Sequence, residues 1–167
     1  MESVGEKPKL HMLSAEHALC RHGNAVLRLA YSYLHNMCDA EDILQEALIK
    51  YMQAAPDFVS EAHERAWLLR VASNLSKNKI QYNRLRETDE LEETLLAEEA
   101  EDLAFIWEAV KSLPVPMREV IHLFYREGYS TKEISRIIDR KESSVRSDLK
   151  RGRDRLKKIL KEAYEFE

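Results

Sequence analysis

Three groups of side chains in this sequence have the spacing of a chemical site. His17 and Cys20 stand three residues apart, and so do His35 and Cys38, which is the spacing of two zinc half-sites. The stretch between them reads as one helix, and at about 1.5 Å per residue the two pairs lie roughly 20–25 Å apart along it. One ion cannot bridge that distance, so no metal is expected, and two thiols in an intracellular chain are ordinarily plain reduced side chains. The second group is Glu41, Asp42 and Glu46, carboxylates on neighbouring turns as a hydrolase or a di-metal helix would have them. No matching Glu-x-x-His is expected on a second helix, and no Gly-rich phosphate loop and no His-Glu-x-x-His accompanies them, so no enzyme activity, cofactor or small-molecule substrate is expected. The third group is "STKEISRIIDRKESSVRSDLKRG", Ser130 to Gly152, a segment this basic in a chain of formal net charge −4. Arg and Lys reach phosphates and guanine edges, and Ser reaches bases or backbone, so the chemistry here is nucleic-acid contact.

The elements around that third group follow from local signals. Ser130-Thr131-Lys132-Glu133 is a capping box, a hydroxyl for the free backbone N–H groups and a carboxylate reaching back. The short helix after it packs through Ile134, Ile137 and Ile138. Asp139 to Glu142 is a turn, and Ser143 is expected to cap a last helix running to about Leu160. At about 100° per residue, Val145, Leu149, Gly152, Leu156, Ile159 and Leu160 fall on one side. Ser143, Arg146, Ser147, Lys150, Arg151 and Asp154 lie around the other. A short helix, a turn and an amphipathic basic helix make a helix-turn-helix, whose second helix fits a DNA major groove. A basic face alone would be an ordinary solvated helix surface. The capping box, the turn and the stripe together favour DNA.

The rest of the chain also reads as helix. Val26, Leu27, Leu29, Ala30, Tyr33 and Leu34 are helically spaced within residues 14–34, with Gly23 a weak point. Asn36 to Cys38 make a break, and Asp39 looks like an N-cap. Ile43, Ala47, Leu48, Tyr51 and Met52 form the inner stripe of a second helix that Pro56 ends. After a loop, a third helix spans about Glu64 to Tyr82, with Leu68, Val71, Ala72 and Leu75 inward and Trp67 at the edge of that stripe. Its other face carries Arg70, Asn74 and Lys77, with Arg84 and Arg86 following. Further on, "LAFIWEAVKSL" and "PMREVIHLFYREG" are helices separated at Pro114 and Pro116, the second stopped by Gly128. No strand-like alternation occurs, so the expected class is all-α. The composition, 44% hydrophobic and 34% charged with four Gly and four Pro, suits a helix-rich soluble chain. No apolar run approaches the ~20 residues that span a bilayer, and Met1 to Leu10 lacks a signal-peptide core. A cytoplasmic protein without membrane insertion is expected.

Charge is unevenly placed. Residues 1–86 hold 11 Lys/Arg and 10 Asp/Glu, residues 87–112 hold 1 and 10, and residues 113–167 hold 14 and 10. The acidity therefore comes from "ETDELEETLLAEEAED", Glu87 to Asp102, which lacks aromatics and repels itself. It is the expected boundary: a domain over 14–86, an acidic linker over 87–104 and a domain over 105–167. The linker is either solvated chain or a segment that occupies a basic channel in a partner or masks the chain's own basic surface.

Leu113 to Lys158, "LPVPMREVIHLFYREGYSTKEISRIIDRKESSVRSDLKRGRDRLKK", resembles region 4 of bacterial sigma factors. "DAEDILQEALIKYM" (Asp39 to Met52) resembles the region 2 helix that binds the RNA polymerase clamp. "AWLLRVASNLSKNKIQYNR" (Ala66 to Arg84) resembles the helix after the loop that reads the −10 element. Two such domains and little else resemble the extracytoplasmic-function group. The resemblance implies a region 2 helical bundle that binds core RNA polymerase through Asp39, Asp42, Ile43, Gln45 and Glu46. It implies −10 contacts from the loop and the helix after it, through Ser60, Arg65, Arg70, Asn74, Lys77, Asn78 and Arg84. A base would be drawn from the stack into a pocket on that loop, at a cost of roughly a few kcal/mol. Trp67 is then either a stacking platform or a core residue. A region 4 helix-turn-helix would meet the −35 element through Lys141, Ser143, Ser144, Arg146, Ser147, Lys150 and Arg151. The implied partners are core polymerase, promoter DNA and an anti-sigma factor, with the linker threading through the polymerase and a stress or envelope regulon under control.

Two departures stand out. Asp139, Arg140, Lys141 and Glu142 fill a turn that in the family usually holds a Gly and an apolar residue. Asp tolerates the left-handed conformation, but without the apolar plug the packing loosens, or Arg140 and Lys141 serve phosphates. Asp148 stands where the family often has a basic residue, and either accepts from a cytosine amino group or pairs with Arg151. The competing expectation is a stand-alone helix-turn-helix regulator whose first domain dimerises or senses. A third is a sigma paralogue acting only as a decoy or anti-sigma target.

Overall fold

The computed structural model describes residues 7–54, 56–86 and 101–164. They form α1 (Lys7–Leu34), α2 (Met37–Ala54), α3 (Glu61–Arg86), α4 (Glu101–Lys111), α5 (Val115–Ile121), α6 (Thr131–Ile137) and α7 (Glu142–Tyr164). α5 runs on into a π-helical turn, His122–Arg126. No strand occurs among the described residues, and the architecture is all-α. None of the described helices is long and apolar enough to cross a membrane. The chain divides into two compact units, residues 1–88 and 89–167. Residues 87–100 of the acidic segment lie outside the described residues, whereas 101–104 already belong to α4.

In the first unit, α1 packs against both α2 and α3, and these two against each other. The core is built on small side chains: Ala15, Ala18, Ala25 and Ala30 from α1, Ala40 and Ala47 from α2, Ala72 from α3. Small residues let the helix backbones approach. Val26, Leu29, Ile43, Leu68 and Leu69 fill the space between them, each burial worth roughly 1.5–3 kcal/mol. The buried stripe of α3 is Leu68, Leu69, Ala72, Ser73 and Ser76, with Val71 and Leu75 only half-buried. It is rotated from the expected stripe because two serines lie inside, where the Tyr33 and Ser73 hydroxyls share a 2.7 Å hydrogen bond. α1 closes at His35, which takes a left-handed φ of 55°. The cap of α2 is Asn36, whose Oδ1 accepts from the Asp39 N–H at 3.0 Å, so Asp39 is inside the helix rather than its N-cap.

In the second unit, α7 is the central element, touched by α4, α5 and α6. Val110, Leu113, Val120, Ile121, Leu123, Ile134, Ile137, Ile138, Val145 and Leu149 form its core. Gly152 admits α5 closely, since a Cβ there would stand 3.0 Å from Ile121 Cγ1. Pro114 caps α5, and Arg118 reaches back to the Lys111 carbonyl at 3.0 Å, placing a cation at the C-terminus of α4. The capping box of α6 forms as expected: the Glu133 N–H donates to Ser130 Oγ at 3.2 Å and the Ser130 N–H to Glu133 Oε1 at 3.3 Å. The turn survives without glycine because Asp139 adopts φ 52°. The Arg140 N–H then returns to the Ser135 carbonyl at 3.1 Å, the long-range bond of a Schellman cap.

Candidate nucleic-acid and polymerase interfaces

The exposed face of α2 is built by its register. With Ala40, Ile43, Ala47 and Tyr51 buried, Asp42, Gln45 and Glu46 stand in solvent. Ile49 is 48% exposed and Met52 37%. Asp42, Gln45, Glu46 and Ile49 follow i, i+3, i+4, i+7 spacing, so they share one side. The sequence reading missed Ile49 and placed Met52 inside; both are apolar residues out of step with the buried stripe. Two expected members leave the face. Ile43 is 3% exposed and holds the helix against α1, so it offers no side chain to a partner. Asp39 turns toward α3, accepting from Asn83 Nδ2 at 3.3 Å with Lys79 Nζ at 4.0 Å.

The start of α3 is fixed by a buried cluster. Glu64, 6% exposed, accepts from Arg21 Nη2 at 2.8 Å and from the Tyr51 hydroxyl at 3.0 Å. Burial alone would raise its carboxyl, but those hydrogen bonds outweigh it and hold the group below its ordinary value. The Tyr51 phenol is pushed up to about 12 by burial and by its bond to Glu64. His22 Nε2 lies 3.2 Å from Glu64 Oε1 without the alignment of a hydrogen bond. Burial lowers its pKa more than the Glu64 charge raises it, so the ring is neutral at pH 7.

The loop before α3 is tied to the same place. Phe58 stacks on Tyr51 with ring centroids 5.8 Å apart, and Trp67 meets both rings edge-on at 5.9 Å. Trp67 is therefore a half-buried member of the packing that anchors the loop. Ser60 Oγ accepts from the His63 N–H at 3.1 Å and acts as the cap of α3, while the Val59 N–H donates to His63 Nδ1 at 3.3 Å. Val59 itself is 91% exposed. Along α3, Arg70, Asn74, Asn78 and Arg84 are exposed and Lys77 half-buried. Arg70, Asn74, Lys77 and Asn78 lie opposite the buried stripe. Arg65 is five residues before Arg70 and half-buried, which at about 100° per residue places it on the core side, away from that face.

In the second unit, Lys141, Ser143, Ser144, Arg146, Ser147, Lys150 and Arg151 are all exposed, while Val145, Leu149 and Gly152 are buried beneath them. The helix begins at Glu142, so Ser143 stands free in its first turn and is not the cap. Arg140 replaces the missing apolar plug. Its Nη1 donates to Glu119 Oε1 at 3.1 Å and to the Pro116 carbonyl at 3.2 Å, and its Nη2 donates to Asp148. Burial would lower the guanidinium pKa, but the bond to Asp148 and the charge of Glu119 raise it. The expectation that Arg140 serves phosphates is thus corrected: two buried carboxylates hold it inside. Asp148 is 7% exposed and Arg151 approaches it at 3.6 Å, so its carboxylate faces protein.

The other chemical sites of the sequence do not assemble. Cys20 and Cys38 are exposed free thiols. The expectation that no second helix carries a Glu-x-x-His is corrected: Glu119 and His122 make one on α5 and its π-helical turn, but Glu119 accepts from Arg140 and His122 pairs with Glu127. Among the described residues, no three His, Cys, Asp or Glu side chains gather so as to hold a metal ion.

Comparison with known proteins assigns both units to families. Residues 20–86 match the Sigma-70 region 2 family and residues 106–156 the Sigma-70, region 4 family. The ECF RNA polymerase sigma-E factor of Escherichia coli (strain K12) is 31% identical over 137 residues, 70% of this chain and 71% of that protein. The chain belongs to the extracytoplasmic-function (ECF) sigma factors. The RNA polymerase sigma-H factor of Pseudomonas aeruginosa is 25% identical to this sigma factor over 161 residues, 84% of this chain and 82% of that one. Its fold is shared with the sigma factor RpoE of Bartonella quintana, solved with the anti-sigma factor NepR, at a TM-score of 0.70 and 24% identity over 87% of this chain and 96% of that one. As an ECF sigma factor it works through RNA polymerase at promoters and is not a stand-alone regulator.

Proposed function

We propose that the first unit of this sigma factor docks on core polymerase through the α2 face of Asp42, Gln45 and Glu46 around Ile49 and Met52. An apolar centre ringed by polar groups is the usual anatomy of a protein interface. Arg70, Asn74, Lys77, Asn78 and Arg84, with the exposed loop tip at Val59, meet the −10 element. The second unit reads the −35 element with the α7 face from Ser143 to Arg151, and Lys141 contacts phosphate. The domains are 14–86 and 105–167, the second lengthened by the first turn of α4 at 101–104, and the acidic segment joins them. The protein has no catalytic activity of its own, acts in the cytoplasm, serves a stress or envelope regulon and is held by an anti-sigma factor, as the Bartonella quintana relative is in its crystal complex. The observation that carries this reading is one chain with both sigma regions in order, each with an exposed polar face opposite its core.

Run-off transcription from pooled genomic fragments, with core polymerase with and without the protein, tests it. Discrete new transcripts sharing two spaced upstream elements are expected. Specific DNA binding without polymerase and without transcripts would overturn the reading in favour of a stand-alone regulator. Neither transcripts nor DNA binding would overturn it in favour of a decoy.

A further inference from the structure

Arg146 is exposed, its side chain 68% accessible, yet it is held from behind. Its Nη2 donates to Glu142 Oε1 at 2.8 Å, one turn back on α7. Thr131 Oγ1, from the first turn of α6, donates to the same oxygen at 3.1 Å. The Glu142 carboxylate therefore bridges the two helices of the helix-turn-helix and is half-buried between them. Arg151 contrasts with this: its nearest carboxylate oxygen, on Asp148, is 3.6 Å away, outside hydrogen-bonding distance, and Asp148 is committed to Arg140.

A tethered guanidinium suits one task better than another. A phosphate accepts a cation from many directions, so a mobile side chain serves it well. A guanine edge needs the planar fork in one orientation, and a side chain ordered beforehand loses less freedom on binding. Arg146 is also in the first turns of α7, the end of a recognition helix that carries base contacts. A carboxylate beside it repels phosphates and weakens sequence-independent affinity.

We propose that Glu142 is a positioning residue for promoter recognition: held by Thr131, it aims Arg146 at a single guanine of the upstream element, at the expense of general affinity for DNA. This rests on the reading of α7 as the −35 helix. It makes two effects of Glu142→Gln opposite in sign. The neutral amide oxygen still accepts but holds the guanidinium more weakly than a carboxylate does, so Arg146 is released toward phosphate, binding to random sequence strengthens and discrimination falls.

The test uses holoenzyme assembled from core polymerase and the full chain. One probe is a library of a promoter recovered by transcription, with the upstream element randomised; the other is random-sequence duplex. Arg146→Ala should abolish the preference at one base pair, by about tenfold. Glu142→Gln should relax the same base pair by a large part of that factor and leave the others. It should also bind random duplex more tightly, with a salt slope steeper by up to about 0.9, the value of one added phosphate contact. In the Arg146→Ala background, Glu142→Gln should have no further effect on discrimination. Thr131→Val should act in the same direction, more weakly. Unchanged discrimination in Glu142→Gln, or relaxation at all positions with weaker binding to random duplex, overturns the proposal alone. Wild-type holoenzyme with no preference anywhere in the element overturns the −35 reading and the proposal together.

Discussion

In the first unit, a buried acid secures the start of the polar helix; in the second, a half-buried arginine held by two buried carboxylates does. Glu64 is in the first turn of α3, where Arg21 and Tyr51 reach it from 43 and 13 residues away. Arg140 is in the turn before α7, where Glu119 and Asp148 reach it from 21 and 8 residues away. Both clusters fix a helix that carries candidate DNA contacts just after an irregular segment. They differ in what a broken pair leaves behind. The Arg21 side chain is 42% exposed and can turn to water, whereas those of Glu119 and Asp148 are 2% and 10% exposed and cannot. Buried ion pairs are costly to break from one side, because the abandoned charge stays desolvated.

The largest effect expected from this contrast is that of Arg140→Ala, which should destabilise the second unit by about 3–5 kcal/mol. Urea denaturation followed by fluorescence should show the second unit unfolding early and the first unit unmoved; a loss under about 1 kcal/mol would break the comparison. Arg140→Met combined with Glu119→Gln and Asp148→Asn should recover most of the loss, since no orphaned charge remains.

The α2 face proposed to meet polymerase gives the next largest effect. Asp42→Arg should lower affinity for core polymerase by about a hundredfold or more, the scale of a reversed charge at an interface, with folding unchanged. Asp39→Asn should do the reverse, costing about 0.5–1 kcal/mol of stability and leaving polymerase affinity alone, because that carboxylate serves Asn83 and Lys79. Equal loss of affinity in both variants would return Asp39 to the interface.

Glu64→Gln should cost about 1–2 kcal/mol in the first unit, less than Arg140→Ala costs the second, since Arg21 is rehydrated and the amide oxygen still accepts from Tyr51. A larger loss than that of Arg140→Ala would reverse the comparison.

The smallest effect is pH dependence in the first unit. Glu64 and His22 both have pKa values lowered by folding, so the unfolded chain binds more protons and acid favours it. The His22 contribution is complete above its ordinary 6.5, and that of Glu64 above 4.5. Each is lost as the pH falls through the lower, folded value. Melting of the first unit between pH 8 and about pH 2 should show stability falling as the solution is acidified, and Glu64→Gln should remove the step below 4.5.

Much of this architecture was legible before any coordinates. The capping box at Ser130 and Glu133, the left-handed Asp139 and the triplet Ile134, Ile137, Ile138 depend on residues close in the chain, and each formed as expected. So did the division of α7 into a buried Val145, Leu149, Gly152 side and an exposed basic side. The misplaced details depended on small competitions. Asn36 took the cap assigned to Asp39, α7 began a residue before Ser143, and the α3 stripe admitted Ser73 and Ser76 at the expense of Val71 and Leu75. Charge by itself predicts exposure for Arg140 and Asp148, and only a partner in space overrides that rule.

The helix positions and most of their inner and outer faces were set by patterns with a period of 3.6 residues, a property of each helix alone. Which charges turn inward was decided only when the helices packed. Arg140, Asp148, Glu64 and Asp39 became buried or tied where a distant element brought the opposite charge close enough to offset the loss of water. The same packing brought Thr131 to Glu142, and through it gave Arg146 a direction that its place in the chain does not specify.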